Sequence, residues 1–297
     1  MLRRLRKSWR KNRHELKGLF NGSIPRFFFA SRPSELGDGV PVFCYHTMAP
    51  PDMERDLGFL ADNGYRTLSG DELLSHLRGN VLAPPRSVVL TFDDGAVNFL
   101  EVVLPLLRRY RMKALAFVAP GMHFDRVPAG FEGVSDRPMT WGELREVHAS
   151  GLVDVESHTY ESRYLPEWPA PIPLDGVAPA LEARLRDAAL PLLEDLRLAK
   201  ARLEAQLPGK VVKHLAFPAY DGTSEGIEAA QQCGYEACHW GLLPGRPVNR
   251  SGASPLHVAR LSHEYLRRLP GDRRDTLVNV ALSRARIVRS AWVRPCT

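Results

Sequence analysis

Hydrophobic and polar positions change their rhythm at about residue 33. Before it, Leu2, Leu5, Trp9, Leu16, Leu19 and Phe20 recur at helical spacing. At about 100° per residue they fall within an arc of roughly 100°, which predicts an amphipathic helix. Arg3, Arg4, Arg6, Lys7, Arg10, Lys11, Arg13 and Lys17 take its other side. After residue 33, short apolar β-rich runs alternate with amphipathic stretches. Strands are expected at Val40–Tyr45, Ser87–Phe92, Ala114–Val118, Val153–Glu156, Val211–Phe217 and Tyr235–His239. Helices are expected at Met53–Asn63, Ser69–Arg78, Ala96–Tyr110, Thr140–Ser150, Pro179–Gln206 and Ser224–Cys233. Ser69 with Glu72, and Thr140 with Glu143, have the spacing of capping boxes. Gly64 and the pair Pro84-Pro85 are stops.

Four- to six-residue strands alternating with helices argue for parallel βα units around one sheet or barrel. The fold class is therefore α/β. Three parts are expected: a basic amphipathic segment at 1–32, a (β/α) body at 33–266, and an Arg-rich tail at 267–297 with a helix near Asp275–Arg289. Tyr164–Pro179 carries prolines at 166, 169, 171, 173 and 179 and reads as a loop insertion.

Composition removes several classes. The chain has 297 residues, 44% hydrophobic and 25% charged, enough to bury a core without staples. No apolar run reaches the ~18–20 residues of a membrane-spanning helix. The net charge of +6 is unevenly placed: +9 over 1–32, −9 over 33–266 and +6 over 267–297. An acidic body argues against a nucleic-acid groove. Cys44, Cys233, Cys238 and Cys296 contain no Cys-x-x-Cys pair, so free thiols in a reducing compartment are expected.

The basic start lacks the 7–15-residue apolar stretch of a secretory signal. It suits a helix lying on an anionic membrane surface, with Ile24-Pro25-Arg26-Phe27-Phe28-Phe29 as a second apolar element, so that residues 1–29 form the contact. The alternatives are a helix packed on the body and an organelle-targeting segment. The expected location is cytoplasmic, peripheral on the inner face of a membrane.

Candidate chemistry concentrates at strand ends. Thr91-Phe92-Asp93-Asp94-Gly95 follows one expected strand and precedes a helix, so two adjacent carboxylates sit where α/β barrels hold their chemistry. Adjacent carboxylates repel unless a cation intervenes or one keeps a proton. One metal ligand and one base is the natural division; an ordinary Asp-Asp-Gly turn is the alternative. His158, in Glu156-Ser157-His158-Thr159, also follows a strand and could join Asp94 on a divalent metal.

Thr91–Gly95 followed by Ser157-His158-Thr159 resembles the polysaccharide deacetylase family, carbohydrate esterase family 4, with its NodB-homology domain. The resemblance spans roughly Pro41 to Leu261 and implies an irregular (β/α) barrel. It implies Asp93 as general base and Asp94 and His158 as ligands of a divalent metal, zinc first, with cobalt or nickel as alternatives. The family places a second histidine ligand four residues after the first. Here that position is Ser162, a poor zinc ligand. Pro41–His46 resembles the Tyr-His segment of the poly-N-acetylglucosamine deacetylase subset, which implies His46 as general acid. Phe217-Pro218-Ala219-Tyr220 resembles the loop beside the acetyl group, with Ala219 interposed. Leu256–Leu261 resembles the closing strand, with Arg260 paired to a site carboxylate. His239 and Trp240 are further candidates for the pocket wall.

The implied function is removal of an N-acetyl group from an N-acetylated sugar of a polysaccharide or lipid-linked glycan. The basic start favours a lipid-borne substrate. Ser162 keeps open a catalytically degenerate, glycan-binding protein of the same fold. A metal-independent amidohydrolase acting on a small amide is a third class.

Overall fold

A computed structural model describes residue 18 and residues 21–31, 35–162 and 191–283. The expected N-terminal helix apart from residue 18, the proline-rich loop from residue 164, the first part of the helix expected from Pro179, and the tail from residue 284 lie outside the described residues.

The apolar runs after residue 40 form parallel strands. These are β1 (Val42–Tyr45), β2 (Arg66–Thr67), β3 (Ser87–Phe92), β4 (Ala114–Val118), β5 (Val153–Ser157), β6 (His214–Ala216), β7 (Ala237–His239) and β8 (Leu261–Ser262). Their order is β7-β6-β5-β4-β3-β1-β8, with β2 added on β3. Every ladder is parallel. The sheet curls, and one parallel bridge, His239 to Val258, brings β7 against the segment that leads into β8.

Helices connect the strands: α1 (Arg26–Phe29), α2 (Pro50–Asp62), α3 (Gly70–Leu77), α4 (Leu104–Tyr110), α5 (Trp141–Ala149), α6 (Leu192–Gln206) and α7 (Ser224–Gln232). Both capping boxes form: Ser69 with Glu72 opens α3, and Thr140 with Glu143 opens α5. No helix among the described residues is long and apolar enough to cross a membrane.

Period-two alternation sorts each strand's side chains. Phe43 and Tyr45 of β1, Val88, Leu90 and Phe92 of β3, and Ala114, Ala116 and Val118 of β4 pack in the core with the helices. Val42, Val89, Leu115, Phe117, Ala216, Ala237 and Val258 form the second cluster, inside the curl, with Leu73, Leu74 and Leu77 of α3. Both faces are apolar, as expected for a parallel sheet covered on both sides.

Three elements differ from expectation, each for a local reason. The helix expected at 96–110 opens as a π-helical turn over Phe99–Val103. Pro105 has no N–H to donate, and Leu104 N–H reaches back to the Phe99 carbonyl before α4 begins. The strand expected at 211–217 contracts to His214–Ala216. Val212 N–H donates to Glu204 and Lys213 N–H to Glu156, so neither N–H is given to the ladder. In the closing strand expected over 256–261, Pro255–His257 forms a 3₁₀ turn under a Ser254 cap, and the ladder with β1 starts only at Leu261.

Candidate active site

The interior face of the curl runs into a polar mouth at the C-terminal strand ends. The inward positions continue past the strands. Val42 and Cys44 lead to His46, Val89 and Thr91 to Asp93, Asp154 and Glu156 to His158, and Val258 to Arg260. The alternation that builds the apolar interior therefore also aims these four side chains at one place.

Asp93 and Asp94 divide the work by exposure. The Asp93 side chain is 3% exposed and that of Asp94 54%. Asp93 N–H donates to the Tyr45 carbonyl at 3.0 Å, fixing the strand end. Its Oδ1 accepts from Arg260 Nη1 at 2.6 Å. Its Oδ2 faces the Cys44 thiol at 3.5 Å and His158 Nε2 at 4.0 Å. Burial works to raise the Asp93 pKa. The Arg260 guanidinium, then His158 and His46, outweigh it and hold the carboxyl well below the usual carboxylate range. Asp94 adopts φ +74° and Gly95 φ +67°, so the chain turns sharply and the second carboxylate swings to the open side.

Asp94 faces two histidines. Its Oδ1 lies 3.7 Å from His158 Nε2 and its Oδ2 3.9 Å from His46 Nε2. His158 Nδ1 lies 2.9 Å from the Ala216 carbonyl. A carbonyl only accepts, so Nδ1 carries a proton, and Nε2 is the ring nitrogen that faces the mouth. That second-contact arrangement is typical of a metal-ligating histidine. Asp94 and His158 thus fit a divalent cation as a preoriented oxygen–nitrogen pair. Ser162, the position expected to follow as a further ligand, adopts φ +55° at the edge of the described residues. Among the described residues no group of three or more His, Cys, Asp or Glu is placed to hold a metal ion.

Arg260 is locked from three sides. Nε–H donates to the Trp240 carbonyl at 3.0 Å, and the guanidinium lies over the rings of Tyr220 at 5.3 Å and Phe117 at 5.5 Å. Tyr220 also stands edge-on to His46, with ring centroids 6.2 Å apart. Burial, with the nearby Cys44 and Asp93, raises the Tyr220 pKa well above the ordinary phenol, so it stays neutral. Phe217 is fully buried against Trp240 and belongs to the core between sheet and helices, and Pro218 is buried beside it. These two residues shape the loop from behind. Phe217 N–H donates to the His239 carbonyl and Tyr220 N–H to the Phe217 carbonyl, while Pro218 has none. Ala219, at φ +54° inside the 3₁₀ turn Pro218–Tyr220, carries the N–H between them.

Cys44 and His214 were not singled out as site residues, whereas His239 was expected at the pocket wall. Cys44 lies two residues before His46 on the same strand face, so period-two counting could have found it. His239 Nε2 lies 3.0 Å from His214 Nδ1 inside the curl, and its ring packs on Phe117 at 4.8 Å.

This site, two carboxylates and two histidines around one mouth on a curled parallel sheet, defines a class of hydrolase-like α/β protein. The polysaccharide deacetylase family pattern matches residues 81–238, which include Asp93, Asp94 and His158 and exclude His46 and Arg260. The chain belongs to the polysaccharide deacetylase family. Poly-beta-1,6-N-acetyl-D-glucosamine N-deacetylase of Escherichia coli (strain K12) is 35% identical over 119 residues, 38% of this chain and 17% of that protein. The match thus spans under a fifth of that relative's length. Among solved structures, IcaB from Ammonifex degensii superposes with a TM-score of 0.60 at 25% identity, covering 86% of this chain and 97% of that one. The Streptococcus pyogenes deacetylase PplD, solved in complex with acetate, has the same fold, with a TM-score of 0.56 at 19% identity, covering 81% of this chain and 100% of that one.

Proposed function

We propose that the chain is a metal-dependent carbohydrate N-deacetylase acting on an N-acetylated sugar of a polysaccharide or a lipid-linked glycan. The observation that carries this reading is the placement of Asp94 against His158 Nε2, with Asp93 buried on Arg260 beside them. Asp94 and His158 would hold the cation, with zinc the first candidate and cobalt and nickel the others. A bound divalent cation polarises the acetyl carbonyl and lowers the pKa of its water.

The chain's own groups do the rest. Arg260 holds Asp93 Oδ1, so Oδ2, which also accepts from the Cys44 thiol and faces His158, is the oxygen that would take the water's proton. A carboxylate held this acidic is a weak base, always ionised and dependent on an acidified water. His46, at the mouth beside Tyr220, would give its proton to the departing sugar nitrogen. The Ala219 N–H is the donor available to the tetrahedral oxyanion from the Phe217–Tyr220 loop. The neutral Tyr220 ring, which lies over the Arg260 guanidinium and edge-on to His46, offers an apolar surface suited to an acetyl methyl.

Ser162 favours a second reading, a glycan-binding protein without turnover. Acetate release from β-1,6-linked N-acetylglucosamine oligomers by the purified full chain, with and without added zinc, cobalt or nickel, decides between them. Metal-dependent release abolished by Asp93→Asn supports the deacetylase. Oligomer binding by titration with no acetate under any metal establishes the binding protein.

A further inference from the structure

Helix α2 carries a charge where its buried stripe calls for an apolar group. Met53, Asp56, Leu57 and Leu60 recur at helical spacing and are all buried. Asp56 Oδ1 meets Arg267 Nε at 3.0 Å, and Arg267 Nη1 meets Asp275 Oδ2 at 3.0 Å. Asp56 Oδ2 accepts from the Tyr45 hydroxyl at 3.2 Å. Burial pushes the Asp56 carboxyl up to about 7, although Arg267 and then Tyr45 oppose it. Burial, with Asp56 next, raises the Tyr45 phenol well above its ordinary value, so the phenol stays a donor. A buried ion pair is costly, and apolar residues of similar volume often replace it without loss. Stability alone gives no reason for a charge at this place.

Position gives one. Tyr45 is joined to both halves of the proposed acid–base pair. His46 follows it directly. The Tyr45 carbonyl accepts from Asp93 N–H. Tyr45 stands opposite Phe92 in the β1–β3 ladder, and Phe92 precedes Asp93. The two rings stack, with centroids 4.9 Å apart and planes at 18°. β8 is the neighbour of β1 on the other side, and His263, just past β8, stacks on Tyr45 at 4.8 Å and 24°. Three rings from adjacent strand ends thus form a row. The stacks fix the Tyr45 ring sideways, and its hydroxyl on Asp56 fixes it lengthwise.

We propose that Tyr45 and Asp56 are positioning residues that set where His46 stands relative to Asp93. This role rests on the deacetylase reading. Both side chains are buried and act through the strand rather than on a substrate. A shift of the phenol along its length moves the end of β1. With it go the His46 ring and the carbonyl that holds Asp93 N–H. A misplacement of about 1 Å can cost about 100-fold in rate. His158 is held separately, by the Val118 carbonyl at its N–H and the Ala216 carbonyl at Nδ1. The proton steps therefore depend on the cluster far more than the metal pair does.

The test is acetate release by the full chain from β-1,6-linked N-acetylglucosamine oligomers with zinc, at about pH 8, where Asp56 is mostly ionised. Tyr45→Phe keeps both stacks and removes one oxygen. It should lower kcat about tenfold, with KM and the zinc Kd within about twofold of wild type. Asp56→Leu should lower kcat as much, and the double variant no further than either, because the two act as one unit. Asp56→Asn keeps an oxygen for the phenol and should recover most of the loss. Should the circular-dichroism melt show Asp56→Leu misfolded, Tyr45→Phe and Asp56→Asn carry the test. An unchanged kcat in the folded variants, or additive losses, overturns the proposal, since the cluster would then serve stability alone. A wild type that releases no acetate is a failure of the deacetylase reading, and crystal structures of wild type and Tyr45→Phe then decide. A His46 ring displaced relative to Asp93, with the Asp94–His158 spacing kept, supports the positioning role. An unmoved ring overturns it.

Discussion

Arg260 Nη1 sits 2.6 Å from Asp93 Oδ1, with both side chains removed from solvent. The pair is structural and electrostatic at once. It holds the carboxylate in its ionised form and commits Oδ1, while Oδ2 faces the Cys44 thiol and His158. Removing one partner leaves a buried charge alone, which costs about 3–5 kcal/mol, whereas removing both can be nearly neutral. Arg260→Met should therefore lower unfolding stability by about that amount, while Arg260→Met/Asp93→Asn recovers much of it. Urea unfolding of the two single variants and the double one measures the coupling. Simple additivity would mean that the two groups do not act as a pair.

The proposed metal pair, Asp94 and His158, predicts a gain as well as losses. Asp94→Ala and His158→Ala should each abolish zinc binding measured by calorimetric titration. Ser162→His restores an imidazole at the position where the family has one. Losing even an outer-sphere partner of a metal site costs about 10–100-fold in affinity, so a new ligand should tighten binding by at least about tenfold. Residue 162 already adopts φ +55°, a conformation that histidine tolerates better than most. No gain would mean that the loop aims residue 162 away from Asp94.

Most of the site was legible because its residues are tied to strand ends. Asp93, Asp94, His46 and His158 each follow a β-rich run, and parity along those runs puts His46, Asp93, His158 and Arg260 on the same interior face. The resemblance assigned roles, and the fold supplied their meeting point. Other features leave no pattern in a sequence. The Cys44 contact with Asp93 depends on the β1–β3 register, Cys44 opposite Thr91. Arg268 and Arg274, which hold the end of α1, act on backbone carbonyls 238 to 247 positions away, which side-chain periodicity does not encode. Phe217 was expected to line the site, yet it follows Ala216 on the outward side and packs against Trp240 instead.

Acid should destabilise the fold through histidines buried in neutral form. Burial lowers His123 to about 4, a Met139 carbonyl at its Nδ1 only partly opposing this. Burial lowers His214 to about 4 as well, and pushes its neighbour His239 well below the ordinary value. Between pH 6.5 and 4 the unfolded chain binds protons that the folded chain refuses, so stability falls as pH falls through that window. The full loss is about 3 kcal/mol for His123, at 1.36 kcal/mol per pH unit. Urea unfolding at about pH 7, 5.5 and 4.5, across that window, should show the decline. His123→Asn should flatten its slope by about one proton. An unchanged slope would mean that His123 takes up its proton without unfolding.

Gly95 makes a sharper test of why the Asp-Asp-Gly turn has its glycine. Two separate demands fall on this residue. Its φ of +67° strains any residue with a Cβ, by about 1–2 kcal/mol. A Cβ here would also lie 2.8 Å from both His123 Cε1 and Val118 Cγ1, which are buried and cannot retreat, adding about 1–3 kcal/mol of overpacking. Gly64 has the same φ of +67° with nothing within 4 Å of a would-be Cβ. Gly64→Ala should therefore cost only the conformational part, and Gly95→Ala that part plus the clash. Because Asp94 precedes the turn, Gly95→Ala should also weaken zinc binding, whereas Gly64→Ala should leave it intact. Equal costs for the two variants in urea unfolding would show that close packing on His123 and Val118 places no demand on the turn, and that backbone conformation alone requires the glycine.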